Sequence, residues 1–522
     1  MRLLLALFAL CTLSTLAPAD IIAIRFKDPK TATKHKDNAV LRGGELMLVG
    51  EKYEARSKDN TTVVIVANSD DPLKVPYKFN KAGELDGVKD TVSIANDQIA
   101  GTILLSKDGT LMSLAQDYSD RRRDYEDHVA ARNAQAKGSP AWMVAHQRVL
   151  LRGERLKSWL ESMCYPGAAL KLEKELAKER KLATEATASR LETARNSVKT
   201  GSVPEDLTRV AQEVSGGTDK YAVQESMHCR IIYRDGIDEL RVKQLLELAE
   251  EVIDGWRVEF VDPYLDETFE DFIQDHTFIE WFFAYDDIPK SEAYMTKFYK
   301  MGFQPEHKEE SLLSEGHGIQ RGMAPEYAYY WRIGEGNDLE GIVTHNLGHV
   351  LANIHFDKRR MGMEQDWLEE ACGLWISLEW LGRNSANCKA WAEPGKYVHQ
   401  AKKSGEKTAQ IGLRDWYNTI ALQAGSTLDK LFTRSLFEMG DGDLAKAWSF
   451  FDWIAKKNGL QGQLFLRQCC NLSRTKNTFL NDLRAKTEEI YELQGVDAYK
   501  EIDKRWKDFA ETGQDTGDTK KK

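Results

Sequence analysis

Asn337–Phe356 reads NDLEGIVTHNLGHVLANIHF. Asn337 or Asp338 can cap a helix start, because a short side-chain oxygen accepts an amide proton that the first turn leaves unpaired. Leu339, Ile342, Val343, Leu347, Val350 and Ile354 then recur at helical spacing. His345 and His349 fall nearly opposite that apolar cluster, about 40° apart on the helical wheel. The pattern predicts a helix with one face packed on its domain and the other showing two imidazoles to a cleft. Histidines four residues apart on one face can both reach one zinc ion. With 11 histidines in the chain, chance alone supplies roughly 0.2 such pairs. The pair by itself is therefore a weak signal, and two surface histidines on a helix are its plain alternative.

The next segment changes the balance. Gln365–Trp380 reads QDWLEEACGLWISLEW. Trp367, Leu368, Ala371, Leu374, Trp375 and Leu378 form one helical stripe. Glu370 sits on the edge of that stripe and Glu369 points away from it. An inward-edge carboxylate following two helical histidines can complete a His₂Glu zinc site with a fourth position open, as hydrolytic zinc sites require. In this pattern the chain resembles the gluzincins, in particular the peptidase-MA-like proteins of exported bacterial type. Their HExxH is followed, about 20 residues on, by WLxEG. The matching residues are His345, His349 and Trp367-Leu368-Glu369-Glu370. The resemblance spans roughly residues 226–510. It implies zinc as cofactor, His345, His349 and Glu370 as ligands, and a peptide or protein as the cleft's ligand. It also implies that Tyr327–Ile333 is the strand at the sheet edge bordering the cleft, and that the helices of 445–509 close the domain.

The chain departs from that family at two positions. Ala371 stands where the family has glycine. Asn346 stands where it has the glutamate that takes a proton from zinc-bound water and passes it to the leaving nitrogen. An amide cannot carry that proton near neutral pH, and general acid–base catalysis contributes about 10²–10⁴-fold. The expectation is a metallopeptidase-like protein impaired in hydrolysis. An active hydrolase with an unusual base and a metal-free binding module are the alternatives. Neither Glu369 nor Glu340 lies on the histidine face, so neither is an obvious substitute base.

A competing ligand set replaces Glu370 by His355, because His345, His349 and His355 have the spacing HxxxHxxxxxH. That arrangement needs glycine at the position of Ala352, where the helix must turn. Alanine favours continuing the helix, which rotates His355 away from His345 by about 80°. The WLxE segment would then have no role.

Outward from this centre the chain predicts an α+β protein. Residues 20–112 carry apolar or β-branched runs at Ile21–Phe26, Glu45–Val49, Thr61–Ala67 and Gly101–Ser106, punctuated by turn signals, which suits a small β-rich domain. Residues 113–200 are helical and heavily charged, and read as a solvated connector. Residues 201–225 suit a linker, and 511–522 a polar, disordered tail. In 226–510, Phe278–Tyr285 and Ala324–Ile333 are strand candidates with aromatic-rich cores, and helices dominate after them.

Arg2, the apolar run Leu3–Leu16 and Ala17-Pro18-Ala19 form the pattern of a cleaved signal peptide over residues 1–19. Export to a secreted or periplasmic location follows from it, and no later stretch is long and apolar enough to span a bilayer. The balance of 72 basic and 82 acidic residues argues against a nucleic-acid binder, which needs a basic face. Six cysteines outside the signal, Cys164, Cys229, Cys372, Cys388, Cys469 and Cys470, permit disulfides but are too sparse for a disulfide scaffold.

Overall fold

The computed structural model describes residues 21–28, 39–42, 45–52, 60–68, 70–79, 85–88, 91–106, 110–137, 140–182, 193–264, 273, 276–320, 325–334, 337–357, 365–382, 384, 388, 413–473, 476–493 and 496–513. The expected signal peptide over 1–19 lies outside them. The fold is α+β. It divides into two compact units, one built from Met1–Leu182 with Ala352–Lys522 and the other from Ala183–Leu351.

The first unit opens with strands β1 (Ile21–Phe26), β2 (Ala39–Arg42), β3 (Glu45–Lys52), β4 (Thr61–Val66), β5 (Tyr77–Phe79), β6 (Leu85–Val88), β7 (Thr91–Ala95) and β8 (Ile99–Ser106). Six of them form an antiparallel sheet in the order β7-β4-β3-β1-β8 with β2 beside β3, while β5 and β6 pair separately. Side chains alternate across a strand, so Ile21 and Ala23 face one core while Ile22 and Ile24 face another. Three helices follow: α1 (Leu111–Asn133), α2 (Pro140–Ser162) and α3 (Pro166–Arg180). Thr110 caps α1, accepting from the Ser113 amide at 3.2 Å, and Ser113 Oγ accepts from the Thr110 amide at 2.9 Å. Buried Glu51 of β3 joins sheet to helix, accepting from the Leu111 amide at 3.0 Å and from the Tyr77 hydroxyl.

These charged helices are not a solvated connector. Leu111, Leu114, Val149, Leu156, Trp159 and Leu176 are buried in one core with Ile21, Val49 and Ile65 of the sheet. Arg132, Arg152, Glu154 and Arg155 are buried and ion-paired, with Glu179, Glu379, Arg180 and Glu379 in turn, which is the condition under which an interior accepts charge.

The second unit holds β9 (Lys199–Thr200), α4 (Glu205–Ser215), β10 (Tyr221–Glu225), β11 (Cys229–Arg234), α5 (Glu239–Trp256), β12 (Ile279–Tyr285), α6 (Ile288–Lys297), α7 (Lys308–Leu313), β13 (Gly316–Gln320) and β14 (Tyr327–Ile333). The stretch 201–225, expected as a linker, thus contains a helix and a strand. Leu207, Val210 and Ala211 of α4 bury their stripe in the core of this sheet. The six strands run in the order β13-β14-β12-β11-β10-β9, with β11, β12 and β14 parallel and the rest antiparallel. β14 lies inside the sheet, not at its edge. Gly316-His317-Gly318 has no strand-like composition, so the extra strand β13 was invisible in the sequence. The glycine has a packing reason: a Cβ on Gly316 would lie 2.6 Å from the Trp331 ring.

Helix α8 (Leu339–Phe356) runs unbroken across the division between the units. The first unit then continues with α9 (Asp366–Leu381), α10 (Leu413–Ala424), α11 (Leu428–Leu431), α12 (Asp441–Lys457), α13 (Gly459–Asn471), α14 (Phe479–Ile490) and α15 (Ala498–Thr512). The last helix extends into the expected tail, of which 514–522 lie outside the described residues. Helix α9 packs on α2 and α12. It ends at Gly382, whose φ of +68° favours glycine. Ser162 Oγ donates to the Leu381 carbonyl at 3.0 Å. Near that end, Glu379 is buried among Arg152, Arg155 and Arg414.

Candidate metal centre

Asp338, not Asn337, caps α8, accepting from the Gly341 amide at 3.2 Å. The helix continues through Ala352 to Phe356, as alanine there favours. His345 and His349, one turn apart, place their Nε2 atoms 3.0 Å from each other. The expected open imidazole face is corrected by the structure. Helix α8 is buried nearly all round: His345 is 1% exposed and Asn346 3% exposed, and His349 alone of the three is half-buried. The cause lies in the sheet. On β12, Phe282 and Ala284 belong to the core shared with α4 and α6. The alternate residue Trp281 turns the other way and donates its indole N–H to Asn346 Oδ1 at 3.1 Å. On β14, Trp331 does the same, also at 3.1 Å. A carbonyl oxygen has two lone pairs, and both are taken. The two aromatic segments were legible as strands or walls, but their convergence on one amide needed the register of β12 with β14, where Trp281 pairs with Tyr329 and Phe283 with Trp331.

On α9 both glutamates turn toward the protein, Glu370 more deeply than Glu369. Glu370 is 2% exposed, whereas Glu369 is half-buried and accepts from Asn353 Nδ2 at 3.0 Å. Glu370 is hydrogen-bonded to the Cys388 thiol. The ligand atoms of His345, His349, Glu370 and Cys388 all lie within 4.8 Å of one another, so these side chains form a cluster that can hold a metal ion. His355 is not part of it: buried on α8, its Nε2 lies 3.1 Å from Gln463 Oε1. Sequence reasoning did not find Cys388. It follows Glu370 by a spacing that no short metal motif uses, and only the cluster reveals it.

The electrostatics suit a cation. Burial, reinforced by the neighbouring His349, holds His345 well below the ordinary histidine range, and burial pushes His349 down to about 4. Both imidazoles are therefore neutral near pH 7, the form that binds metals. Burial first, then Asp366, raises Glu370 to about 7, although the Cys388 hydrogen bond lowers it. A carboxylate that burial disfavours gains most from a dication. The spacing is of the order that a single metal ion requires. Bonds of about 2.0–2.3 Å in a tetrahedron hold ligand atoms about 3.3–3.8 Å apart. Here the two imidazole nitrogens are 3.0 Å apart and the four candidate ligand atoms lie within 4.8 Å of one another, a looser set than a bound tetrahedron. No helix among the described residues is long and apolar enough to cross a membrane. Compared with known proteins, the chain matches no family model, no curated protein and no solved structure.

Proposed function

We propose that this chain is an exported, zinc-binding, gluzincin-like protein of metallopeptidase type, impaired in hydrolysis. The observation that carries the proposal is the gathering of His345, His349 and Glu370 into one buried cluster, from two helices whose sequences have the spacing of that class. The imidazoles supply neutral nitrogen donors and Glu370 a charge to balance the ion. When bound, zinc supplies a Lewis acid for a carbonyl oxygen or for water. Asn346 occupies the general-base position, and its oxygen is committed to Trp281 and Trp331. It can donate to a ligand but take no proton from one. A peptide is the expected ligand. β13 is the terminal strand of its sheet among the described residues, and an extended peptide adds to such a strand through main-chain hydrogen bonds.

The test is elemental analysis of the purified protein after dialysis against a weak chelator. About one zinc per chain is expected for a single His₂Glu centre. A folded protein without zinc overturns the proposal and leaves a metal-free binding module.

A further inference from the structure

We infer that Cys388 is the fourth ligand of this centre, which makes it a closed His₂GluCys site with no position left for water. The inference rests on the metal-binding proposal above and goes beyond it. Three observations carry it. The Cys388 sulfur lies within 4.8 Å of the ligand atoms of His345, His349 and Glu370. Its thiol is hydrogen-bonded to Glu370, so it is already directed at a ligand. The charges also close: two neutral imidazoles, one carboxylate and one thiolate cancel a dication, a balance that matters where His345 and Glu370 are buried. Zinc takes sulfur, nitrogen and oxygen donors in four-coordinate sites, and sites with four protein ligands are structural, whereas hydrolytic ones keep the fourth position open. On binding, the S–H bond breaks, a sulfur–metal bond forms and one proton leaves to solvent, with no change of oxidation state.

The centre thus departs from a hydrolytic one twice and independently, at Asn346 and at Cys388. Cys388 is the exposed member of the six described cysteines, the other five being buried, so its modification is readily isolated from theirs.

The experiment is cobalt(II) titration of the full, chelator-stripped chain. It is followed by absorption, and by mass-spectrometric mapping of iodoacetamide alkylation with and without metal. Expected are one bound cobalt per chain, a near-ultraviolet sulfur-to-cobalt charge-transfer band, and protection of Cys388 from alkylation by the metal. Cys388→Ser keeps the stoichiometry, loses the band and binds cobalt roughly 10–100-fold more weakly, at least the loss that removing an outer-shell partner causes. One bound cobalt in the wild type with no such band and no protection overturns the inference while sparing the metal-binding proposal. A folded wild-type chain that binds no cobalt overturns both. The wild-type alkylation arm decides the matter even if the serine variant does not fold.

Discussion

The indole nitrogen of Trp281 donates to the side-chain oxygen of Asn346 at 3.1 Å. Trp331 donates to the same oxygen at the same distance. Asn346 is thus a structural keystone between α8 and two strands, at the position where the proposed function would place a general base. Asn346→Leu leaves the buried indole N–H of Trp281 and the half-buried one of Trp331 without their acceptor. An orphaned buried donor costs about 1–3 kcal/mol, and the half-buried one less, so the variant is expected to lose about 1–4 kcal/mol in denaturant unfolding. A loss under about 1 kcal/mol would show that the indoles find other acceptors.

The same pair of donors shapes any attempt to restore hydrolysis. A glutamate at 346 would sit under two N–H groups that stabilise its ionised form, and the Cys388 sulfur would still occupy the fourth metal position. Asn346→Glu alone is expected to stay near the wild-type rate on a quenched-fluorescence peptide library. Asn346→Glu with Cys388→Ser is expected to exceed it by about 10²-fold, the low end of the contribution of a general base. Equal activity of the single and double variants would rule out blockage by the thiol.

The two neighbouring glutamates of α9 separate cleanly. Glu370 belongs to the cluster that can hold a metal ion and Glu369 is hydrogen-bonded to Asn353. Glu370→Ala and His345→Ala are expected to abolish retained zinc in elemental analysis, while Glu369→Ala keeps it. The reverse pattern for the two glutamates would reassign the ligand.

Glu379 is surrounded by cations. Arg155 Nη1 lies 3.4 Å, Arg152 Nη1 3.5 Å and Lys456 Nζ 3.8 Å from its carboxylate, which is also ion-paired to Arg414. Both Arg152 and Arg155 are buried. Breaking a buried pair by removing one partner costs about 3–5 kcal/mol. Glu379→Gln should lower the unfolding free energy by that amount, and a loss below about 1 kcal/mol, the scale of an exposed pair, would show that water screens the cluster.

His146 on α2 predicts a pH effect. Its ring stacks on Trp142 with centroids 4.8 Å apart, and its Nδ1 lies 3.1 Å from Arg132 Nη1 and 3.8 Å from Glu179 Oε2. Burial, then the Arg132 charge, holds it below the ordinary histidine value, with Glu179 opposing. Below about 6.5 the unfolded chain therefore takes up a proton that the folded protein refuses. Stability is full above that pH and falls as pH drops toward the folded value, by at most about 1.4 kcal/mol per pH unit. His146→Phe, which keeps an aromatic ring on Trp142, should make the fall of unfolding free energy between about pH 6.5 and 5 shallower. An unchanged slope would mean that His146 is protonated equally in both states.

The sequence by itself determined what depends on neighbours along the chain. Helical geometry relates residues three and four apart, so the facing of His345 with His349 and the burial of Glu370 were legible, as was the continuation of the helix through Ala352, whereas Glu369, expected to point away, is half-buried against Asn353. Apolar and β-branched runs likewise marked Ile21–Phe26, Thr61–Ala67 and Phe278–Tyr285, where strands Ile21–Phe26, Thr61–Val66 and Ile279–Tyr285 form, because the residues of each run themselves favour extended backbone. Tertiary structure decided what depends on chain path and sheet register. Cys388 reaches Glu370 through the fold, not through a motif. Trp281 and Trp331 meet on Asn346 because β12 and β14 lie side by side. The terminal strand β13, almost featureless in sequence, exists because Gly316 lets the backbone lie against the Trp331 ring. The charged helices 111–180 read as solvated because composition counts charges without their partners. In three dimensions Arg152, Arg155 and Glu379 satisfy one another, and that pairing, not the charge itself, decides whether such residues can be buried.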